Sequence, residues 1–309
     1  MITYDTIIVG AGPAGMSAAL FAEGDGLSFR LIEKGVSCKF VEEAINTNFT
    51  NLENYLGIHS LTGTEVAEKF RDHLKIRQIP VFKEEIIEIE RAKNLFNVTS
   101  NMGTYLSKSI ILSTGTRPKK IDVNGIDKLK DRVYYNVERD ISHYADKDVL
   151  IVGGRNSGAV TAVRLKEAGA RPLIVEKSLI TTAKKKYLDR LTELSIPLLV
   201  DTCLERIIEL GENLEVYATV SKIPRIIKTS AIFGCIGYVP NNDLAIKLGL
   251  ILDSQGYIEV DRKMQTSVKG VYAAGDVNGG VKMISVASGE GAIAEYYANS
   301  FVRSEWKEE

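Results

Sequence analysis

The sequence is poor in cysteine, and none of its cysteines is placed to form a redox pair. The three lie far apart in the 309 residues, no CxxC occurs anywhere, and they stand at Cys38, Cys203 and Cys235. The three histidines are equally scattered. This spacing excludes the dithiol motif of thioredoxin-like proteins and the closely spaced ligands of zinc ribbons and fingers. We therefore expect no metal centre.

An excess of charge of one sign and long apolar runs are also missing. Lys and Arg number 39 against 40 Asp and Glu, so the net charge of -1 excludes a general nucleic-acid binder, which needs a basic surface. No apolar run approaches the roughly 18 residues of a membrane span. The first apolar run begins at Thr6 and leaves no room for a secretory signal. These features favour a cytoplasmic protein with no membrane partner.

Residues 6–33 have the pattern of a strand, a glycine-rich turn, a helix and a second strand that ends in Glu33. The turn consists of Gly10, Ala11, Gly12, Pro13, Ala14 and Gly15. In such units the first glycine allows the tight turn, the second lets the backbone approach a pyrophosphate, and the third lets the helix pack on the sheet. The helix N-terminus faces the phosphates, and the acid accepts from a ribose hydroxyl. The pattern predicts a dinucleotide site.

Residues 148–176 repeat this pattern and end in Glu176. The second turn consists of Gly153, Gly154, Arg155, Asn156, Ser157 and Gly158, and 23 residues separate the first glycine from the acid in both copies. The copies also close alike, at residues 110–118 and 231–240, which indicates an internal duplication. The run at 270–277 has no earlier counterpart. We therefore predict an α/β fold of two nested Rossmann-like dinucleotide-binding domains of the three-layer ββα type, residues 1–117 plus 241–309 and residues 118–240.

The second copy departs from the first at Arg155, which stands where the second glycine would bring backbone against the phosphates. The side chain narrows that approach, although its charge could also pair with a pyrophosphate. Glu176 would accept from a free 2'-hydroxyl and repel a 2'-phosphate, which favours NAD(H) over NADP(H). A copy that keeps the fold and has lost its ligand remains the alternative.

Four motifs in order give the chain a family resemblance. They are VGAGPAG at 9–15, LENYLG at 52–57, STGTRP at 113–118 and TSVKGVYAAGDV at 266–277. Together they resemble the low-molecular-weight thioredoxin reductases over nearly the whole chain. The resemblance implies FAD in the domain built from both chain ends, NAD(P) in the middle domain, and a homodimer.

The resemblance also implies roles for residues around the flavin. Asn54 would contact FAD, Thr114 and Gly115 would pass close to its pyrophosphate, and Gly275 with Asp276 would bind the ribityl chain. Lys34 follows Glu33 at the adenosine end. Met283 and Ile284 would begin a helix whose N-terminus faces the flavin pyrimidine and stabilises negative charge on the reduced ring.

The chain departs from this family in two places that matter for function. Residues 136–139 stand where the family has its CxxC, and neither Asn136 nor Arg139 can carry electrons. The family's basic run for a 2'-phosphate is replaced here by residues 175–177, and the later lysines at 184–186 are expected to be a solvated helix face. The GGRNS turn looks similar to the bacillithiol-disulfide-reductase type, which also lacks the pair.

Cys38 is a weak candidate for a redox thiol, because it lies in the stretch that related proteins place near FAD. A small residue filling a tight loop is the simpler interpretation, which we favour. Cys203 and Cys235 lie in apolar runs and are expected in the core.

The predicted function is that of an FAD-dependent oxidoreductase. Electrons would pass from NAD(P)H, with NADH favoured, through the flavin to a small-molecule or small redox-protein acceptor without a disulfide relay. Two alternatives stay open: a reductase fed by ferredoxin or a dithiol, and a flavin-holding sensor or partner protein without pyridine-nucleotide activity.

Overall fold

The computed structural model describes residues 2–39, 41, 52–129, 131–135 and 141–306. The chain forms two compact units, Met1–Arg117 with Val239–Glu309 and Pro118–Tyr238. The sequence analysis placed the return to the first unit at residue 241. No helix within the described residues is long and apolar enough to span a membrane.

The first part of the chain builds most of the first unit. Its elements are β1 (Thr3–Val9), α1 (Pro13–Gly24), β2 (Phe29–Glu33), α2 (Gly63–Ile76), β3 (Val81–Lys83), β4 (Ile86–Ala92), β5 (Leu95–Ser100), β6 (Gly103–Leu112) and β7 (Thr116–Pro118). Helix α2 begins with a capping box, in which Thr62 and Glu65 each satisfy a backbone N–H of the other.

The middle of the chain builds the second unit. Its strands and helices are β8 (Val133–Tyr134), β9 (Asp148–Val152), α3 (Asn156–Glu167), β10 (Arg171–Val175), α4 (Lys185–Glu193), β11 (Leu198–Leu199), β12 (Thr202–Leu210), β13 (Asn213–Val220), β14 (Ile223–Thr229) and β15 (Ala231–Gly234), and β16 (Tyr238–Pro240) crosses the boundary to the first unit. The chain then returns to the first unit with α5 (Asp243–Lys247), β17 (Val271–Ala273), a 3₁₀ turn (Asp276–Asn278) and α6 (Ile284–Glu305).

The two units repeat one topology. In the first, β3, β2, β1 and β6 run parallel in that order, β17 also pairs with β6, and β5 and β4 continue the sheet antiparallel. In the second, the parallel order is β11, β10, β9, β15 and β8, and β12, β13 and β14 form a separate antiparallel sheet. A parallel sheet with helices against it and an antiparallel layer beside it is the predicted fold class, which is confirmed.

Burial explains why these strands are almost continuously apolar. Ile7, Ile8, Ile110 and Ile111 in the centre of the first sheet and Leu150 in the second are fully buried, as expected for parallel strands covered on both faces. The carboxyl ends of β1 and β9 therefore open into their glycine turns from rigid central strands. Such ends are the positions where ligands bind in open α/β sheets.

Candidate functional site

The first glycine turn contains two glycines that the protein's own packing requires. Gly10 has φ +105°, and a Cβ built on it would lie 2.3 Å from the Ser113 carbonyl oxygen. A Cβ on Gly15 would lie 1.8 Å from the Gly10 carbonyl oxygen. Ser113 supports the turn further, because its hydroxyl donates to the carbonyls of Val9 and Gly10, each at 2.9 Å. A side chain at Gly10 would clash with the backbone that follows β6, and one at Gly15 would push the start of α1 away from the end of β1.

Gly12 is different, because nothing in the described protein requires it to be glycine. Its φ of -80° and ψ of -175° are ordinary extended backbone, and a Cβ there would meet no described atom within 4 Å. It precedes Pro13, the first residue of α1, so the open space lies in front of a helix N-terminus. A phosphate group fits there, since backbone N–H groups and the helix dipole both favour an anion.

Glu33 binds the first turn from the tip of β2. Its Oε2 accepts from the Ala11 N–H at 2.8 Å, and its Oε1 accepts from the Gly35 N–H at 2.9 Å. The carboxylate therefore joins the first glycine turn to the loop that follows β2. Lys34 points toward Glu85, with 3.3 Å between Nζ and Oε1, and both side chains are well exposed.

The C-terminal segment brings the Gly275–Asp276 turn and helix α6 against the start of α1. A Cβ on Gly275, where φ is +81°, would lie 3.0 Å from the Ala14 Cβ, and one on Gly291 would lie 2.0 Å from the Ala14 carbonyl oxygen. Asp276 is half-buried; burial raises its pKa, and the positive charge of Lys282 opposes the rise. The first glycine turn, the Gly275–Asp276 turn and helix α6 thus meet at Ala14.

Helix α6 begins beside this turn. Met283 is its N-cap and Ile284 is its first residue. No side chain among the described residues caps the helix there, and the N–H groups of a first helical turn have no partner within the helix.

Thr114 and Gly115 are held by a residue that the sequence analysis missed, Asn241. The Thr114 hydroxyl donates to the Asn241 carbonyl at 2.7 Å, and the Asn241 Nδ2 donates to the Thr114 carbonyl at 2.7 Å. The Asn241 N–H donates to the Gly115 carbonyl at 3.0 Å.

Asn54 lies exposed between the isolated bridge residues Leu52 and Tyr55.

The second turn reproduces the packing of the first. Gly153 has φ +110°, its Cβ would lie 2.3 Å from the Cys235 carbonyl oxygen, and a Cβ on Gly158 would lie 1.8 Å from the Gly153 carbonyl oxygen. Glu176 accepts from the Gly154 N–H at 2.7 Å and from the Ser178 N–H at 3.0 Å. These contacts match those of Glu33.

Arg155 takes the backbone conformation of Gly12. Its φ of -82° and ψ of -169° are almost those of its counterpart, so the substitution introduces no backbone strain. The side chain is exposed at the N-cap of α3. Burial alone would raise the pKa of Glu176, but the N–H groups of Ser178 and Gly154, together with the Arg155 charge, hold it below its ordinary value. Glu176 is therefore an ionised carboxylate.

The loop after Glu176 folds against the second turn. The Thr181 hydroxyl donates to the Gly154 carbonyl at 2.5 Å, and the Lys184 N–H donates to Asn156 Oδ1 at 2.9 Å. The second contact holds the Asn156 amide oxygen against the backbone of this loop. Ser157 is exposed beside it on the first turn of α3.

Cys38 is buried in a structural position that the internal repeat explains. Its Sγ lies 3.7 Å from the Ala11 carbonyl oxygen and 3.5 Å from Met16 Sδ. Cys38 and Thr181 are each the fifth residue after the strand-tip glutamate, and the carbonyls that they approach, Ala11 and Gly154, are also counterparts. This equivalence supports the interpretation of Cys38 as a loop-closing side chain.

The other two cysteines differ in burial. Cys235 is packed beside Thr161, and burial raises its pKa to about 11, in agreement with a core position. The core prediction for Cys203 is wrong, because its side chain is exposed. Thr202 faces inward at the start of β12, so the next residue faces outward on an alternating strand. The predicted position of the missing CxxC, residues 136–139, lies outside the described residues.

Each of the two parallel sheets carries a glycine turn that is bound by a glutamate at the end of the next strand. The first of these turns also lies beside a Gly-Asp turn and a helix N-terminus. Together these features are typical of oxidoreductases that bind two dinucleotides. The chain belongs to the pyridine nucleotide-disulphide oxidoreductase family, whose model matches residues 4–291. A thioredoxin reductase of Listeria monocytogenes is 30% identical over 97% of this chain and 94% of its own length.

Solved structures agree with this membership. The thioredoxin reductase of T. acidophilum has a TM-score of 0.87 and 31% identity, with 99% of each chain covered. That of Lactococcus lactis has a TM-score of 0.88 and 26% identity, with 97% of this chain and 99% of the other covered. The chain is an FAD-dependent oxidoreductase of the thioredoxin-reductase-like type, and the family implies FAD and a pyridine nucleotide.

Proposed function

We propose that the protein oxidises NADH in preference to NADPH and passes the electrons through FAD to an acceptor without a protein disulfide relay. The observation that carries this proposal is the absence of any CxxC from a chain whose fold and family are those of thioredoxin reductases. The acceptor would be a small molecule or a small redox protein.

FAD would occupy the first unit. Gly12 leaves space for its pyrophosphate, Glu33 would accept from its ribose, and Asp276 would bind its ribityl chain. Asn54 would contact the FAD, and Thr114 and Gly115 would pass close to its pyrophosphate. The α6 N-terminus at Met283 and Ile284 would stabilise negative charge near the pyrimidine. When bound, FAD supplies two-electron redox chemistry, while these residues fix its position.

NADH would occupy the second unit. Glu176 is ionised and lies 2.7 Å from the Gly154 N–H, so a 2'-phosphate there would meet a like charge. Arg155 stands at the N-cap of α3 with unstrained backbone, where a cation can pair with a pyrophosphate. We further propose a homodimer, as the family resemblance implies, with units bounded near residues 117 and 240.

Anaerobic mixing with NADH or NADPH tests this function. We expect rapid bleaching of the yellow flavin by NADH and much slower bleaching by NADPH. Glu176→Ala should weaken NADH binding, whereas Glu259→Ala, an exposed glutamate of the first unit, is the matched control. Robust turnover with insulin-coupled thioredoxin would contradict the proposed absence of a disulfide relay.

Arg155 also favours a second candidate, a flavoprotein that binds no pyridine nucleotide. It puts a side chain at the position whose counterpart, Gly12, has none. If neither nucleotide bleaches the flavin but a dithiol or reduced ferredoxin does, that candidate replaces the first.

A further inference from the structure

Glu290, on the second turn of α6, reaches the turn that contains Asp276. Its Oε2 accepts from the Gly275 N–H at 2.8 Å and from Asn278 Nδ2 at 2.9 Å. The two donors come from the residue before Asp276 and from the second residue after it. One carboxylate oxygen thus links residues on both sides of Asp276.

The turn holds part of its shape through the Asn278 N–H, which donates to the Gly275 carbonyl at 3.1 Å, and through the fully buried Val277. Gly275 has φ +81° and Gly279 has φ +80°, and the 3₁₀ helix between them is three residues long. Glycines at positive φ lose more conformational freedom on ordering than other residues, and a single 3₁₀ turn is a weak element. A further contact from a rigid element therefore narrows the directions that the Asp276 side chain can take.

Glu290 supplies such contacts from a long helix. Helix α6 runs for 22 residues and packs on α1, so the carboxylate comes from a rigid base. Asn278 extends the anchoring, because its Oδ1 accepts from the Gly280 N–H at 3.1 Å. A carboxylate acceptor makes these hydrogen bonds stronger than a neutral one would.

We propose that Glu290 is a positioning residue for FAD, which fixes the Gly275–Asn278 turn so that the Asp276 carboxylate is preorganised for the cofactor. This inference rests on the proposed FAD site. The benefit of preorganisation is that binding does not also have to order the turn. Glu290 itself need not touch the cofactor.

The test is FAD affinity, measured by quenching of flavin fluorescence on titration of the FAD-depleted protein. Glu290→Ala should weaken binding about tenfold, the loss expected for removing hydrogen bonds that order a site. Glu290→Gln should stay within about threefold of wild type, because its carbonyl oxygen can accept both hydrogen bonds. The control is Glu305→Gln on the same helix, an exposed glutamate paired with Lys269, which should bind FAD normally.

A double-mutant cycle distinguishes positioning from general support. In an Asp276→Asn background, Glu290→Ala should lose much less affinity than in the wild type, because both act through one side chain. Equal losses in both backgrounds, or wild-type affinity for Glu290→Ala, would overturn the proposal. NADH bleaching of the wild-type flavin would still stand in that case, whereas a wild-type protein that binds no FAD would overturn the proposed function itself.

A second variant covers the case in which Glu290→Ala does not fold. Asn278→Asp places a carboxylate against Glu290 and should also weaken FAD binding severalfold through repulsion. Unchanged affinity in that variant would contradict the proposal.

Discussion

Replacing Glu295 by glutamine is expected to stabilise the protein, and the gain should grow as the pH rises. Glu295 lies on α6 with no exposed surface, and both carboxylate oxygens lack a hydrogen-bond partner among the described residues. Burial raises its pKa to about 8, and the nearby negative charges of Asp25 and Asp5 add to the rise. Asp25 accepts from Asn299, and Asp5 pairs with Lys108.

The direction of the effect follows from the two pKa values, about 8 when folded and an ordinary 4.5 when unfolded. Below the unfolded value both states are protonated, and the group has no effect. Between the two values only the unfolded state is ionised, so folding stability falls by about 1.4 kcal/mol per pH unit. From pH 5 to pH 8 the wild type should therefore lose about 4 kcal/mol relative to Glu295→Gln.

Urea unfolding of the FAD-saturated protein at pH 5, 6, 7 and 8 measures this difference. Glu305→Gln, the exposed glutamate on the same helix, is the control and should show no such trend. If the free energy of unfolding differs between wild type and Glu295→Gln by the same amount at every pH, the folded state does not raise the pKa of Glu295 above its unfolded value and the reasoning is refuted.

Three further predictions concern residues in the two glycine turns or in the loops that contact them. Gly12→Arg should fold with an unchanged Tm, because Arg155 already adopts this backbone, yet lose FAD binding at least tenfold on titration; a large fall in Tm would show that the chain itself needs the glycine. Glu176→Gln should narrow the NADH-over-NADPH preference in kcat/KM severalfold by removing the charge that faces a 2'-phosphate, and an unchanged ratio would place the ribose elsewhere. Cys38→Ser should keep NADH oxidase or reductase turnover within about twofold. The serine hydroxyl can replace the thiol beside the Ala11 carbonyl, as the Thr181 hydroxyl contacts the Gly154 carbonyl. Loss of turnover in a folded variant would instead indicate that the Cys38 thiol takes part in electron transfer.

Local spacing was enough to predict the two glycine turns, their acids and the repeated fold. Those features follow from residues close in sequence, such as Gly10 and Gly15, and from one comparison of the chain with itself. The contacts of Asn241 with Thr114 join positions 127 residues apart, and no periodicity signals them. Glu290 was equally hidden, because a glutamate on an amphipathic helix usually faces solvent.

The direction in which a side chain faces was the other feature that the sequence did not predict. Cys203 lies in an apolar run but faces outward, since strand alternation cannot be assigned a face until the partner layer is known. Arg155 was expected to narrow the approach to a phosphate, but the sequence did not show that its backbone matches that of Gly12, so that the change is confined to the side chain. The arginine therefore changes the chemical group next to the proposed ligand and leaves the backbone of the turn unchanged.

The most direct test of the account is the number of NADH molecules needed to reduce the protein completely under anaerobic conditions. Each NADH delivers two electrons and FAD accepts two, so a protein without a disulfide relay should be fully bleached by about one NADH per flavin. Consumption of about two NADH per flavin would reveal a second two-electron acceptor in the chain and contradict the central claim.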